Sequence, residues 1–184
     1  MDFSAAILAG GHSSRFGRDK ALYPYAGKPL LSWVAESLTD AAELFIIANK
    51  AYPAFDFPLY SDIIPAQGPL SGIHAGLSYS KQDWLAVAAC DMPFLTRSYW
   101  QLLMTTISSD KQIVIVEHKG RLEPLAAYYH KSCLALFEAN LNQQQLSLQT
   151  IIRELKTTVI PFETLGLESK TLANINYLED LQTE

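Results

Sequence analysis

The stretch from Ala6 to Lys20 constrains this chain more than any other. An apolar run, Ala6-Ile7-Leu8-Ala9, stops at Gly10-Gly11 and passes into a basic loop that ends at Asp19-Lys20. The segment from Phe3 to Leu8 reads as a central parallel strand covered on both faces. Three glycines, Gly10, Gly11 and Gly17, permit positive φ and let backbone N–H groups approach an anion. Arg15 and Lys20 supply charge where a triphosphate would lie. The amides of residues 9–11 with Arg15 and Lys20 are therefore read as a phosphate cradle. It stands at the carboxyl end of its strand, the edge at which open α/β sheets bind ligands.

Two other phosphate loops do not fit. A Walker loop needs Lys directly after its last glycine and Ser or Thr behind it, whereas Gly17 is followed by Arg18, and Lys20 by Ala21. A dinucleotide fingerprint opens a helix with G-x-G-x-x-G, yet five residues separate Gly11 from Gly17, and Pro24, Gly27 and Pro29 follow. The loop is predicted to be long, basic and not helical.

Charge supports a small anionic ligand. The net charge of −5 argues against a nucleic-acid surface, while residues 15–28 carry Arg15, Arg18, Lys20 and Lys28 against Asp19 alone. At 184 residues, 49% of them hydrophobic, the chain reads as a single domain over residues 1–184. No apolar run is long enough to cross a bilayer, and Met1-Asp2-Phe3 lacks the basic region of a signal peptide, so the expectation is a cytoplasmic protein without membrane contact. Cys90 and Cys133 make neither a disulfide framework nor a zinc spacing and are read as buried thiols.

Downstream, strands alternate with helices. Pro29 opens a helix through about residue 42, Leu44–Ala48 and Pro58–Ser61 read as strands, and Gly68-Pro69 precedes a helix from Leu70 to Tyr79. In that helix Ser71, Gly72, Ala75 and Gly76 are small enough either to admit a base or ribose or to pack tightly on a sheet. Trp84–Ala89 is another buried strand, and Thr96 caps a helix through Ile107. Gln112–Val116 is a strand, and Leu122–Tyr129 follows the Lys119-Gly120 turn so closely that it must run antiparallel, with Glu123-Pro124 on the far side of the pocket. Residues 131–141 and 147–155 read as helices and Thr158–Phe162 as a last strand. Asn176 caps a terminal helix from Tyr177. The fold expected is a three-layer α/β, Rossmann-like arrangement with a mostly parallel central sheet and one antiparallel strand.

Asp91 is the sharpest single residue. An acid directly after an apolar strand and before Met92-Pro93 is placed to hold Mg²⁺ against nucleotide phosphates, and the cradle at residues 9–20 favours that role over a turn or cap. Gly10, Gly11, Lys20, Asn49, Asp62 and Asp91 should converge on one crevice. His12, His74, His118 and His130 have no nucleophile partner and are read as surface or loop histidines. No covalent intermediate is expected.

Several segments carry a resemblance. Leu8-Ala9-Gly10-Gly11, Ser13-Ser14-Arg15, Gly17, Asp19-Lys20-Ala21-Leu22 and Gly27-Lys28-Pro29-Leu30 resemble the signature of nucleotidyltransferases that activate sugars and cofactors, and in particular the molybdenum cofactor guanylyltransferase family. Gly68-Pro69-Leu70-Ser71-Gly72, Cys90-Asp91-Met92-Pro93-Phe94, Glu123-Pro124-Leu125 and Asn174-Ile175-Asn176 match that branch in order. The resemblance implies a nucleotidyltransferase fold, GTP and molybdenum-molybdopterin as substrates, and molybdopterin guanine dinucleotide with pyrophosphate as products. It implies catalytic roles for Arg15, Lys20 and Asp91, with Mg²⁺ as cofactor on Asp91. It further implies Leu8, Ala9, Gly10 and Gly11 at the nucleotide, Leu8 and Gly10 against guanine, Asn49 and Asp62 completing that site, and Glu123, Pro124, Asn174 and Asn176 on the pterin side. Asn176 keeps its alternative as a cap. Transient contact with proteins that deliver or receive the cofactor belongs to the same expectation.

Three other functions stay open at this point: cytidylyl transfer to molybdopterin or a sugar-like phosphate, a nucleotide-binding regulator without chemistry, and a dehydrogenase. Gly11 and Cys90-Asp91-Met92-Pro93 count against the first, and the presence of both Lys20 and Asp91 against the second. Glycine spacing counts against the third.

Overall fold

The computed structural model describes residues 1–10, 19–64 and 68–175. Gly11, His12, Arg15, Phe16, Asn176 and the helix expected from Tyr177 lie outside the described residues. β1 (Ser4–Leu8) is followed by a 3₁₀ turn at Lys20–Leu22, β2 (Pro24–Tyr25), β3 (Lys28–Pro29), α1 (Leu30–Ser37), β4 (Glu43–Ile47) and β5 (Leu59–Tyr60). Next come α2 (Pro69–Tyr79), β6 (Trp84–Ala89), α3 (Arg97–Met104), β7 (Ile113–His118), β8 (Arg121–Leu122) and β9 (Ala126–His130). α4 (Leu134–Asn142), α5 (Leu148–Arg153) and β10 (Thr157–Pro161) follow, and 3₁₀ turns at Phe162–Leu165 and Ser169–Leu172 come after them.

The main sheet runs β10-β7-β9-β6-β1-β4-β5, with β8 on β7. β1 pairs in parallel with both β4 and β6, and β9 runs antiparallel between β6 and β7. Because side chains alternate along a strand, β1 feeds two cores. Ala5 and Ile7 join α1 and α3 on one face, and Ala6 and Leu8 join α2, α4 and α5 on the other. This is the three-layer, mostly parallel architecture expected. Among the described residues no helix is long and apolar enough to cross a membrane.

Local departures have local causes. The helix expected through residue 42 ends at Ser37, where the Ser37 hydroxyl donates to the Val34 carbonyl at 2.7 Å and accepts from Trp100 Nε1 at 3.0 Å. Side-chain competition for helix carbonyls weakens the last turn, and Leu38 closes a tighter turn on Ala35. The helix capped by Thr96 stops at Met104 rather than Ile107, the fourth helix begins at Leu134 after a 3₁₀ turn over Lys131–Cys133 and runs to Asn142, and the fifth is shorter at both ends than the periodic pattern. The strand expected over Leu122–Tyr129 is broken in two. Pro124 has no N–H for a ladder, and the Glu123 carbonyl instead accepts the Ala126 amide at 3.1 Å as a turn. The loop expected to be not helical carries a 3₁₀ turn at Lys20–Leu22, which Asp19 caps by accepting the Ala21 amide, and then the β2–β3 hairpin. That hairpin closes through Ala26 and Gly27 with φ of 44° and 87°, the left-handed pair that a tight two-residue connection requires.

Small residues in α2 serve close packing. A Cβ on Gly76 would lie 2.9 Å from Leu85 Cδ2 and 3.3 Å from Ala6 Cβ, and one on Gly72 would lie 3.1 Å from Leu8 Cδ1. Ser71 and Ala75 are fully buried beside them. His74, expected at the surface or in a loop, is instead buried within this helix.

Candidate active site

Strand register assembles the edge. Leu8 stands opposite Ile47 and Ala89, and Ile47 opposite Tyr60. Moving two residues beyond each of these aligned positions gives Gly10, Asn49, Asp91 and Asp62. Parallel pairing therefore delivers four of the sequence-derived residues to one level of the carboxyl edge. The ladder continues briefly past the strands, since Ala9 donates to the Ile47 carbonyl at 3.0 Å and Cys90 to the Leu8 carbonyl at 3.1 Å.

Acids and lysines at this edge are paired with one another. Lys20 Nζ lies 3.0 Å from Asp91 Oδ2, with both side chains largely shielded. Lys50 Nζ lies 2.8 Å from Asp19 Oδ2. Asn49 Nδ2 donates to Asp62 Oδ2 at 2.9 Å, and the Asp62 amide returns a bond to Asn49 Oδ1 at 3.1 Å. Leu8 packs its side chain under α2, Ala9 is buried, and Gly10 is exposed. Gly11 and Arg15, which the sequence assigns to the same cradle, lie outside the described residues.

Asp91 caps no helix among the described residues; Thr96 takes that role for α3. Its carbonyl accepts the Ile175 amide at 2.8 Å. That bond brings exposed Asn174 alongside, while Ile175 packs on Leu30 with Tyr23, Tyr25 and Phe94 around it. On the other flank Ala89 donates to the Leu125 carbonyl at 3.0 Å, so Glu123 and Pro124 stand beside the end of β6. Burial pushes the Glu123 carboxyl above the usual carboxylate range, with His118 and Arg121 pulling it back. Asn176 lies outside the described residues.

The donor set suits a hard cation shared with a ligand. Asp91 gives one oxygen to Lys20, and its other oxygen has no hydrogen-bond partner among the described residues. No three His, Cys, Asp or Glu side chains converge into a metal cage among them. Magnesium characteristically takes one or two carboxylates and completes its shell with phosphate oxygens and water, so these residues fit it. Cys90 beside Asp91 is no nucleophile. Burial, then the charges of Asp91 and Asp19, push its thiol up to about 12 against the opposing pull of Lys20 and Lys50.

Tyr52 and Lys50 escaped sequence reasoning at this edge, and Asp19, read only within the loop's signature, was given no partner there. Tyr52, Lys50 and Asp19 form one contact group, but Tyr52 and Asp19 are far apart along the chain and no local pattern announces such a pairing. A lysine following Asn49 at a strand end was the sole hint.

The geometry can be set beside known proteins. The family model of the MobA-like NTP transferase domain matches residues 5–159. A probable molybdenum cofactor guanylyltransferase of Clostridium perfringens strain 13 is 37% identical over 187 residues, covering 97% of this chain and 94% of its own. A protein of the same description from Carboxydothermus hydrogenoformans is 33% identical, covering 99% and 94%. Among solved structures, molybdopterin-guanine dinucleotide biosynthesis protein A from Archaeoglobus fulgidus superposes with a TM-score of 0.84 at 26% identity, covering 97% of this chain and 95% of that one. With an edge of this construction and matches that run nearly end to end, the chain belongs to the MobA-like NTP transferase family.

Proposed function

We propose that this chain transfers GMP from GTP to the terminal phosphate of molybdenum-molybdopterin, releasing pyrophosphate and forming the molybdopterin guanine dinucleotide cofactor. The observation that carries the reading is the Lys20 ammonium 3.0 Å from Asp91 at the end of the glycine-rich loop. Relatives of that name match over nearly the whole chain.

The reaction needs no protein nucleophile. An acceptor phosphate oxygen attacks the α-phosphorus of GTP, a new P–O bond forms, the bond to the α–β bridging oxygen breaks, and pyrophosphate leaves in line. The protein positions and neutralises these groups. The amides of residues 9–11 with Arg15 and Lys20 hold the triphosphate, and Lys20 exchanges its Asp91 partner for phosphate oxygens. Magnesium on Asp91 would supply the remaining neutralisation at the phosphates. Leu8 and Gly10 border the guanine, Asn49 and Asp62 complete the nucleotide site, and Glu123, Pro124, Asn174 and Asn176 face the pterin. The setting is the cytoplasm, with transient contact with the proteins that deliver or receive the cofactor.

Incubation with Mg²⁺, molybdopterin and labelled GTP or CTP, followed by identification of the product, tests this reading. The guanine dinucleotide and pyrophosphate are expected, with GTP used far better than CTP, because buried donors and acceptors left unpaired by the wrong base cost roughly 1–3 kcal/mol each. A cytidylyl product would replace the guanylyl assignment, and nucleotide binding without pyrophosphate release would point to a regulator.

A further inference from the structure

We propose that Tyr52 is a positioning residue for the nucleotide: its hydroxyl ties the start of the glycine-rich loop, at Ala9, to its end, at Asp19. The proposal rests on reading that loop as the nucleotide site. Tyr52 is 4% exposed, and its hydroxyl lies 3.0 Å from the Ala9 carbonyl oxygen and 3.2 Å from Asp19 Oδ1. Both neighbours are acceptors, so one phenolic proton is shared between them and the phenol must stay neutral. Burial and then the Asp19 charge raise its pKa above the ordinary tyrosine value, which keeps that proton in place.

Asp19 is the hub of the arrangement. Besides Tyr52 it accepts the Ala21 amide at 3.1 Å and pairs with Lys50. The residue that follows it is Lys20, so any shift of Asp19 moves the backbone that carries the ammonium facing Asp91. At the other end Ala9 is fixed to β4 through the Ile47 carbonyl. Tyr52 thus joins a point on the sheet to the point from which Lys20 projects. Such closure fixes Ala9 and Asp19 relative to each other before ligand arrives, and ordering completed in advance is not charged against binding. The segment 49–52 consequently has two jobs, with Asn49 held to Asp62 while Lys50 and Tyr52 hold the loop.

The ring is held without the hydroxyl. Phe55 stands edge-on at 6.4 Å, Lys50 Nζ lies 5.5 Å from the ring centre, and the Phe55 amide bonds the Tyr52 carbonyl at 3.1 Å. Tyr52→Phe therefore removes the tie and leaves the packing. In this variant kcat/KM for GTP should fall about tenfold, carried by KM for GTP, with KM for the acceptor unchanged. Amide hydrogen exchange of a peptide spanning residues 19–23 should quicken without any nucleotide present. Asp19→Ala should show a deficit of the same kind, and the double variant should be no worse than the poorer single one. An unchanged KM for GTP with unchanged exchange would overturn the proposal. So would a loss shared equally between GTP and acceptor that tracks a fall in melting temperature, because a merely structural tyrosine would behave that way. If the unmodified protein consumes no nucleotide, the guanylyl reading falls separately, and the exchange measurement alone decides the tie: faster exchange upholds it and equal exchange overturns it.

Discussion

The two ends of the central strands carry similar residues and use them differently. At the amino end Glu43 accepts from the Ser4 hydroxyl at 2.6 Å and from the Lys81 amide at 2.6 Å, while Ser4 Oγ accepts from the Gln82 amide at 3.2 Å. Burial pushes the Glu43 carboxyl up, but bonds from Ser4 and Lys81 outweigh it and bring the pKa below the usual range. That carboxylate is held by the Lys81 backbone amide and by a buried serine, with the exposed Lys81 ammonium 3.3 Å from its other oxygen, and it closes the turn between α2 and β6. At the carboxyl end the Asp91 carboxylate is held by the Lys20 ammonium, and Asp19, besides the Ala21 amide and the Tyr52 hydroxyl, by the Lys50 ammonium. A phosphate can take a lysine from an aspartate, whereas nothing replaces a backbone amide without opening the fold. The same acid–lysine chemistry is thus structural at one end and exchangeable at the other, and the exchangeable end is where the glycine-rich loop begins.

Substitutions at the two ends should separate activity from stability. Lys20→Ala should produce the largest effect, lowering kcat/KM for GTP by about 10²–10³ while circular dichroism stays unchanged, since a preorganised charge on the transferring phosphates is lost. Wild-type turnover in this variant would remove Lys20 from the chemistry. Asp91→Asn keeps the shape and loses the charge, and activity should fall about 10²-fold with only weak recovery at raised Mg²⁺. Full activity at ordinary Mg²⁺ would reduce Asp91 to a turn residue.

Glu43→Ala should do the reverse. Leaving Ser4 and the Lys81 amide without their acceptor should cost about 1–3 kcal/mol of stability in denaturant titration, with kcat/KM within about twofold of wild type. Comparable activity loss at both ends would mean that the amino-end carboxylate serves the reaction as the carboxyl-end ones do.

His74 gives the smallest effect. Burial lowers its pKa from 6.5, opposed by the charge of Glu138. The unfolded chain therefore binds a proton more readily than the folded one, so His74 adds stability above the unfolded value and that stability is lost as pH falls below it. Melting temperature should drop between roughly pH 7 and pH 5.5, and His74→Leu should flatten that drop. An identical slope in the variant would assign the acid sensitivity elsewhere.

The carboxyl edge was legible in the sequence where strands are continuous apolar runs. β1 and β6 are buried on both faces, so each reads as a block, and the residue that follows each block falls at the edge without further information. Asp91 was legible for that reason, as was the Thr96 cap, which accepts from the Tyr99 amide at 3.2 Å. The partners of these residues were not legible. The bond from Tyr52 to Asp19 depends on how the segment after β4 folds back over the loop, and the bond from Ile175 to Asp91 on a return from the far end of the chain. His74 misled because a polar residue in an amphipathic helix is ordinarily placed on the wet face, and α2 is covered by both the sheet and α4.

Hydrogen exchange with and without GTP and Mg²⁺ tests the central contrast most directly. Exchange should slow at residues 8–10, 19–22, 48–50 and 90–92, and stay unchanged at residues 43–45 and 80–83. Protection at the amino end, for instance around the shallow hollow lined by Asp2, Trp84, Ser108 and His130, would contradict the account, as would unaltered exchange at residues 90–92.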